Sequence, residues 1–343
     1  MTLCPRRGTL PLADKAPGRM LGSRLRQLVM LGLASFLLAL PAARAKAQTV
    51  WFAPVDPVAK YAPQKGEKDF MQLFADPAAW RRGLRRVKVI QFYTQYIDQA
   101  PDDQLKTIFQ FLREHDIALA METWVLHGGP NNCGRGEGYL PNAQLPTRLA
   151  QRIKALGGDL AYVTIDESFG GNRGPAGCHL TSAAAAADAA ATFAVYRTVF
   201  PQVRIGDTEN LPLASDPGWF ADYAQWADAF QKASGMPFAY FHMDVAWNSP
   251  TWDYSIAAFN KLLAQRRIPF GVIFNATQGA TSNAAWMSSA EENIDKYRAA
   301  RLPRPAHVVF ETWDPYPTKA LPESSPTSHT YLIDYYFKHR PHQ

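Results

Sequence analysis

Two adjacent carboxylates, Asp166 and Glu167, end an apolar run in the stretch LAYVTIDESFGGN, residues 160–172. Acids placed where a buried strand leaves a core are costly to keep ionised unless they are paired or have a task. Neighbouring carboxylates also raise one another's pKa, which holds a proton on one of them near neutral pH. A protonated acid of this kind is what cleavage of a glycosidic bond needs at its leaving oxygen. Other acids recur at the ends of apolar runs: Glu122 in METW, Asp207 and Glu209 in GDTEN, Asp244 in HMDVAW and Glu311 in FETW. Tryptophans stand beside them at Trp124, Trp247 and Trp313, and GVIFNATQG ends in Asn275. Sugar faces stack on aromatic rings while carboxylates and carboxamides take the hydroxyls, so this set is the candidate substrate-binding surface.

Each of these residues has a plainer alternative. Asp166 and Glu167 can cap the loop that follows them. Glu311 is either an opposing base or nucleophile, or a buried acid paired with Lys or Arg. Asp207 and Glu209, two apart, face one side of a strand as sugar ligands or as neighbours that tune another acid. Asp244 is a second candidate for the opposing acid. Glu122 reads as a supporting residue, Asn275 as structural or functional, and the three tryptophans as stacking platforms or rim core.

The elements that must position them follow one grammar, repeated eight times: an apolar strand, a polar tip, a loop and an amphipathic helix. Strands are expected at 50–56, 87–97, 117–126, 160–167, 203–209, 238–247, 269–276 and 307–313. Helices are expected at 69–84, 102–115, 146–156, 182–199, 219–233, 254–266, 284–301 and 328–338. Strands separated by helices throughout predict a parallel sheet, and eight such pairs predict a closed α/β structure, a (β/α)₈ barrel over residues 48–343. Chemistry in such a barrel lies at the C-terminal strand ends, where every acid named above falls.

From residue 50 onward the chain resembles the TIM-barrel glycoside hydrolases. In the large clan of cellulases and β-galactosidases an Asn-Glu pair ends strand four, and its Glu is the acid/base. Asp166-Glu167 takes that place here, with Glu167 as the implied acid/base. The clan's nucleophilic Glu at strand seven is replaced by Asn275. Hexosaminidases that use substrate assistance carry Asp-Glu at strand four, which implies Asp166 as the residue orienting a 2-acetamido group. The resemblance implies a carbohydrate substrate and no cofactor. A non-catalytic carbohydrate-binding barrel, or a transglycosylase or lyase on the same fold, is the alternative.

Other classes lack their motifs. There is no paired-His spacing or first-strand His-x-His for a metal, no Gly-x-Gly-x-x-Gly or Walker loop, and no Gly-x-Ser-x-Gly elbow. The formal charge of +6 is misleading. Residues 1–47 hold eight Lys or Arg and one acid, so the rest of the chain sits near −1 and offers no footprint for nucleic acid. Those first residues read as an export signal: Arg24 and Arg26, an apolar run at 28–40, and Ala45-Lys46-Ala47 before Gln48, with Met20 as an alternative start. The apolar run is short for a membrane span, so no stable membrane insertion is expected once the signal is removed. Export to an oxidising compartment, periplasmic or secreted, makes Cys133 and Cys178 a candidate disulfide between loops after consecutive strands, two free thiols being the alternative.

Overall fold

Apolar strands buried on both faces need helices outside and a filled interior, and this chain meets both needs by closing its sheet. The computed structural model describes residues 47–57, 66–211 and 217–338. The strands are β1 Thr49–Ala53, β2 Val87–Tyr93, β3 Ala118–Thr123, β4 Leu160–Asp166, β5 Arg204–Asn210, β6 Phe241–Asp244, β7 Phe270–Phe274 and β8 His307–Glu311. They pair in parallel and in chain order, and β8 returns to β1, so β4 and β8 stand on opposite sides of the barrel. Residues 1–46, which carry the expected leader, its Met20 start and Arg24 and Arg26, lie outside the described residues.

The helices are α1 Gln72–Ala75, α2 Arg81–Leu84, α3 Thr94–Gln99, α4 Asp102–Glu114, α5 Leu145–Ala155, α6 Ser168–Arg173, α7 Ser182–Val199, α8 Pro217–Ser234, α9 Trp252–Gln265, α10 Asn283–Ala299 and α11 His329–Lys338. In α4, Leu105, Ile108, Phe109 and Leu112 recur at helical spacing and are buried, while Asp102 and Asp103 favour the positive N-terminal end. Thr181 caps α7 by accepting a hydrogen bond from the Ala184 amide, and the small Ala185, Ala186 and Ala189 are buried along it.

Alternation along the strands sorts the interior from the helix-facing layer. Trp51, Val89, Ala120, Tyr240, Ile273 and Val309 pack together inside the barrel, apart from the larger core under the helices. Large rings there require small neighbours. A Cβ on Gly206 would meet the Tyr240 ring at 2.1 Å, and one on Gly271 would meet the His242 ring at 2.7 Å. The His242 and His307 rings lie 3.0 Å apart between Nε2 and Nδ1, and burial lowers the pKa of both, that of His307 to about 4. Neutral imidazoles and aromatic rings therefore plug the barrel beneath the acids.

Three expectations change in detail. The helix expected over 69–84 breaks at Pro77 into α1, a 3₁₀ turn Pro77–Trp80 and α2, because proline lacks the N–H that would continue it. Residues expected to extend β2 to 97 instead form α3, whose Tyr96 and Ile97 are buried. The strand expected over 238–247 keeps only Phe241–Asp244, and the chain then turns through Trp247 N–H to Val245 C=O. Gly170 and Gly171, which follow Glu167 closely, form the middle of α6.

Candidate active site

The C-terminal mouth of the barrel holds a cavity of about 660 Å³. Its wall includes Glu122 from β3, Asp166 and Glu167 from β4, Asp244 from β6 and Glu311 from β8. Tyr93, Trp124 and Trp313 also line it, and both tryptophans are only half-buried. The strand alternation explains the grouping: Glu122, Asp166, Asp244 and Glu311 fall on inward positions of their strands.

Glu167 sits at the sharpest point of this wall. Its backbone is left-handed, φ 45° and ψ 30°, a strained conformation for a side chain of this size. The turn is held from several sides. The Glu167 amide donates to Thr208 C=O at 2.9 Å, Gly171 N–H donates to Glu167 C=O at 2.7 Å, and Ser168 Oγ donates to Gly138 C=O at 2.9 Å. Close approach of the loop after β3 demands glycine, since a Cβ on Gly138 would lie 2.8 Å from Glu167 O.

The side chain of Glu167 accepts a hydrogen bond from Asn210 Nδ2 at Oε1, 2.9 Å, which leaves its other oxygen to carry a proton. Burial, the Asp166 charge and the Glu137 charge, in that order, push its pKa up to about 8. Asp166 is raised to about 7 by burial and by Glu137, against a 2.9 Å hydrogen bond from Trp124 Nε1. Trp124 therefore has two tasks, lining the cavity with its half-buried ring and fixing Asp166 with its N–H.

On the opposite wall Glu311 accepts from Tyr93 OH at 3.1 Å and from Gln91 Nε2 at 3.2 Å, both on Oε1. The same Gln91 amide donates to Glu122 Oε2 at 2.7 Å, while its oxygen accepts from Thr164 Oγ1 at 2.7 Å. With its oxygen on Thr164 Oγ1, the Gln91 amide turns its NH2 to the acids, so Gln91 clamps two carboxyls at once. Burial lifts Glu311 to about 7, with Tyr93 and Gln91 pulling the other way. Burial and the Glu311 charge lift Glu122 well above the carboxylate range, which leaves Glu122 the protonated member and Glu311 the one able to ionise.

Asp244, raised to about 7 by burial and by Glu167, stands between this cavity and a smaller one of about 170 Å³. Trp247 and Asn275 belong to that smaller cavity and not to the main one. Trp247 Nε1 donates to Asn275 Oδ1 at 2.9 Å, and its ring is buried against Phe274.

Asp207 and Glu209 correct the sequence reading. They do face the same side of β5, but it is the helix side, because Gly206, Thr208 and Asn210 take the inward positions. Asp207 accepts from Tyr223 OH at 2.8 Å and Trp226 Nε1 at 3.0 Å on α8. Glu209 accepts from the amides of Phe169 and Gly170 at 2.8 and 2.9 Å. Neither lines a cavity that touches substrate. Glu209 instead anchors the first turn of α6, directly behind Glu167. Replacing Asp207 by Ala is expected to lower stability by about 2–4 kcal/mol, since two buried donors lose their acceptor. Turnover per folded molecule should stay near wild type. A chemical-denaturation curve measured beside initial rates checks both halves, and a large rate loss in fully folded protein would return Asp207 to the site.

Sequence reasoning missed Glu137 and Gln91. Glu137 lies in the loop after β3, exposed at the rim, and accepts a hydrogen bond from Glu167. Its position follows from the disulfide that the cysteines did signal: Cys133 and Cys178 are bonded, with 4.9 Å between their Cα atoms. Tyr139 OH, bound to Asn172 and to the Cys178 amide, ties the same loop to α6. The bridge spans a sequence separation of 45 residues. Replacing both cysteines by Ser is expected to lower unfolding stability by up to about 4 kcal/mol from loop entropy. Equilibrium unfolding in urea, with and without reductant, checks it; coincident curves would show that the bridge adds no stability.

Comparison with known protein families finds no match, and comparison with curated protein sequences finds none either. Among solved structures the chain is similar to a psychrophilic glycoside hydrolase family 10 endo-β-1,4-xylanase, at 11% identity and TM-score 0.44, covering 78% of this chain and 89% of that one. It is similar to the Thermobacillus composti GH10 xylanase at 13% identity and TM-score 0.43, covering 79% and 88%. It is also similar to the carboxyl transferase domain of Rhizobium etli pyruvate carboxylase at 11% identity and TM-score 0.49, covering 96% of this chain and 52% of that one.

Proposed function

We propose that this chain is an exported glycoside hydrolase acting on a polysaccharide or oligosaccharide, with Glu167 as general acid/base and Glu311 as the opposing carboxylate. The observation that carries the reading is geometric: Glu167 at the end of β4 and Glu311 on β8 stand on opposite sides of one cavity that Trp124 and Trp313 also line. Glu167, raised to about 8, keeps its proton at neutral pH, while Glu311, at about 7 on the facing strand, can lose its own. Burial raises both carboxyls, while the Asp166 and Glu137 charges favour the protonated form of Glu167 and the hydrogen bonds from Tyr93 and Gln91 favour the ionised form of Glu311, the division of roles an acid and a base need.

In this reading a sugar ring rests on Trp124 and Trp313, and Glu167 protonates the glycosidic oxygen as the bond breaks. Glu311 acts on the far face of the ring, as nucleophile or as base toward water. Gln91 and Tyr93 hold Glu311 in place, and Glu122 stays neutral beside it. The reaction requires no cofactor. The leader and the Cys133–Cys178 bridge support export, and among the described residues no helix is long and apolar enough to cross a membrane.

The test is a screen of polysaccharides and aryl glycosides with the processed protein, read as new reducing ends or released phenol. Turnover with at least one glycan is expected. Binding of a glycan with no turnover would instead support a carbohydrate-binding barrel, a reading favoured by the Asn275 that ends strand seven and is held by Trp247.

A further inference from the structure

Glu167, Glu311 and their neighbours leave the smaller cavity of about 170 Å³ without a task. Asn210, Asp244, Gln278 and Trp313 line both cavities, so the two adjoin along one wall. A site for a whole small molecule takes about 300–1,000 Å³, a range that holds the main cavity and excludes the smaller one. The smaller cavity therefore suits one unit of a ligand whose remainder lies in the larger.

Its wall is built for an uncharged, hydroxylated unit. Apart from Asp244 it carries no charged side chain among the described residues, and Asn248, Asn275, Thr277 and Gln278 supply its other polar groups. A carboxamide both donates and accepts hydrogen bonds, the combination that neighbouring hydroxyls need. Asn275 is already committed, accepting from Trp247 Nε1 at 2.9 Å and hydrogen-bonding the Asp244 carboxyl. Asn248 and Gln278 are exposed, and among the described residues neither side chain has a hydrogen-bond partner. The wall that carries Gln278 is braced from behind by α10. Thr277 N–H donates to Ser289 Oγ at 3.0 Å, and Asn293 Nδ2 donates to Asn275 C=O at 3.0 Å. Trp313, half-buried on the shared wall, offers an aromatic surface to both cavities.

Resting on the hydrolase reading, we propose that the smaller cavity is a second subsite, which takes an uncharged sugar unit adjacent in the chain to the one held between Glu167 and Glu311. Asn248 and Gln278 bind its hydroxyls, and Trp313 packs against both units. The protein then works on a chain of sugars and not on a single glycoside. The tip of strand seven, through Asn275, serves binding.

The experiment measures calorimetric binding of oligosaccharide ladders to the processed protein, each running from a single unit upward. The neutral ladders are β-1,4-linked glucose, xylose and mannose, and a galacturonate ladder is the charged comparison. In at least one neutral ladder, one added unit should raise affinity by about tenfold, the gain of one or two hydrogen bonds to a neutral sugar. The galacturonate ladder should show no such step, because its carboxylates meet Asp244 and no cation. Asn248→Ala and Gln278→Ala should each cut the step to about threefold or less, and the double variant should remove it. Neither side chain bonds the rest of the protein, so unfolding curves of these variants should match wild type. The inference is overturned if no neutral ladder shows a length step, if the step survives the double variant, or if galacturonate shows a step of the same size. Aryl glycosides carrying successively longer chains let the two readings fail separately. Turnover that gains nothing from added units sinks the subsite alone. A length step removed by the double variant, with no turnover of any glycan, supports the subsite and sinks the hydrolase reading.

Discussion

Glu167→Gln is expected to lower hydrolysis by about 10²–10⁴-fold, the usual contribution of a general acid. The amide keeps the shape and still accepts the Asn210 hydrogen bond at its oxygen, but it has no proton to transfer. Aryl glycosides with a good leaving group should lose less, because they need little protonation. Asp166→Asn then separates two mechanisms. Removing the Asp166 charge removes one of the influences that raise Glu167, so the Glu167 pKa falls and the alkaline limb of the rate profile moves to lower pH. With a Glu167–Glu311 pair, that shift is the main effect. With substrate assistance, Asp166→Asn is nearly as damaging as Glu167→Gln, and activity demands a 2-acetamido sugar. Full activity in folded Glu167→Gln protein would remove Glu167 from the acid's role and pass it to Asp244, a cavity acid on β6 raised to about 7.

The sequence carried the barrel because its pattern is local: apolar strands and amphipathic helices alternate eight times, and each helix stripe can be read without knowing its neighbours. It also carried the height of the acids, since strand ends are visible as the end of an apolar run. Parity was not visible. Whether a strand residue faces the interior or the helices depends on register with both neighbouring strands, which is a property of the closed sheet. Asp207 and Glu209 therefore read as sugar ligands or as neighbours that tune another acid, and it is the sugar-ligand half that fails, because they serve α8 and α6. One local signal existed: Gly206 leaves room for the Tyr240 ring, and an interior glycine puts Thr208 and Asn210 inside and the two acids outside. Gln91 was hidden for another reason. Its role arises from three partners on β3, β4 and β8, brought together only by closure. Glu137 is a loop residue with no periodicity to place it, fixed at the rim by a disulfide and by glycines that admit close backbone contact.

Glu311→Gln should be as severe as loss of the acid, about 10²–10⁴-fold, because the ionised carboxylate on the far side of the sugar has no substitute. The rate profile gives the sharper check. The working state needs Glu167 protonated and Glu311 ionised. Glu311 is raised to about 7 and Glu167 to about 8, so that state is most populated between those values. As pH falls through about 7 Glu311 takes up a proton and the rate drops; as pH rises through about 8 Glu167 loses its proton and the rate drops again. A narrow bell between the two is the expected profile of kcat/KM for the wild-type protein. The residual activity of Glu311→Gln should keep the alkaline limb and lose the acid limb, whereas that of Glu167→Gln should do the reverse. Gln91→Leu removes a donor from both Glu311 and Glu122; because that hydrogen bond lowers the Glu311 pKa, its loss should move the acid limb to higher pH. An acid limb that stays in place in Glu311→Gln would assign the ionising group elsewhere, with Asp244 the next residue to test.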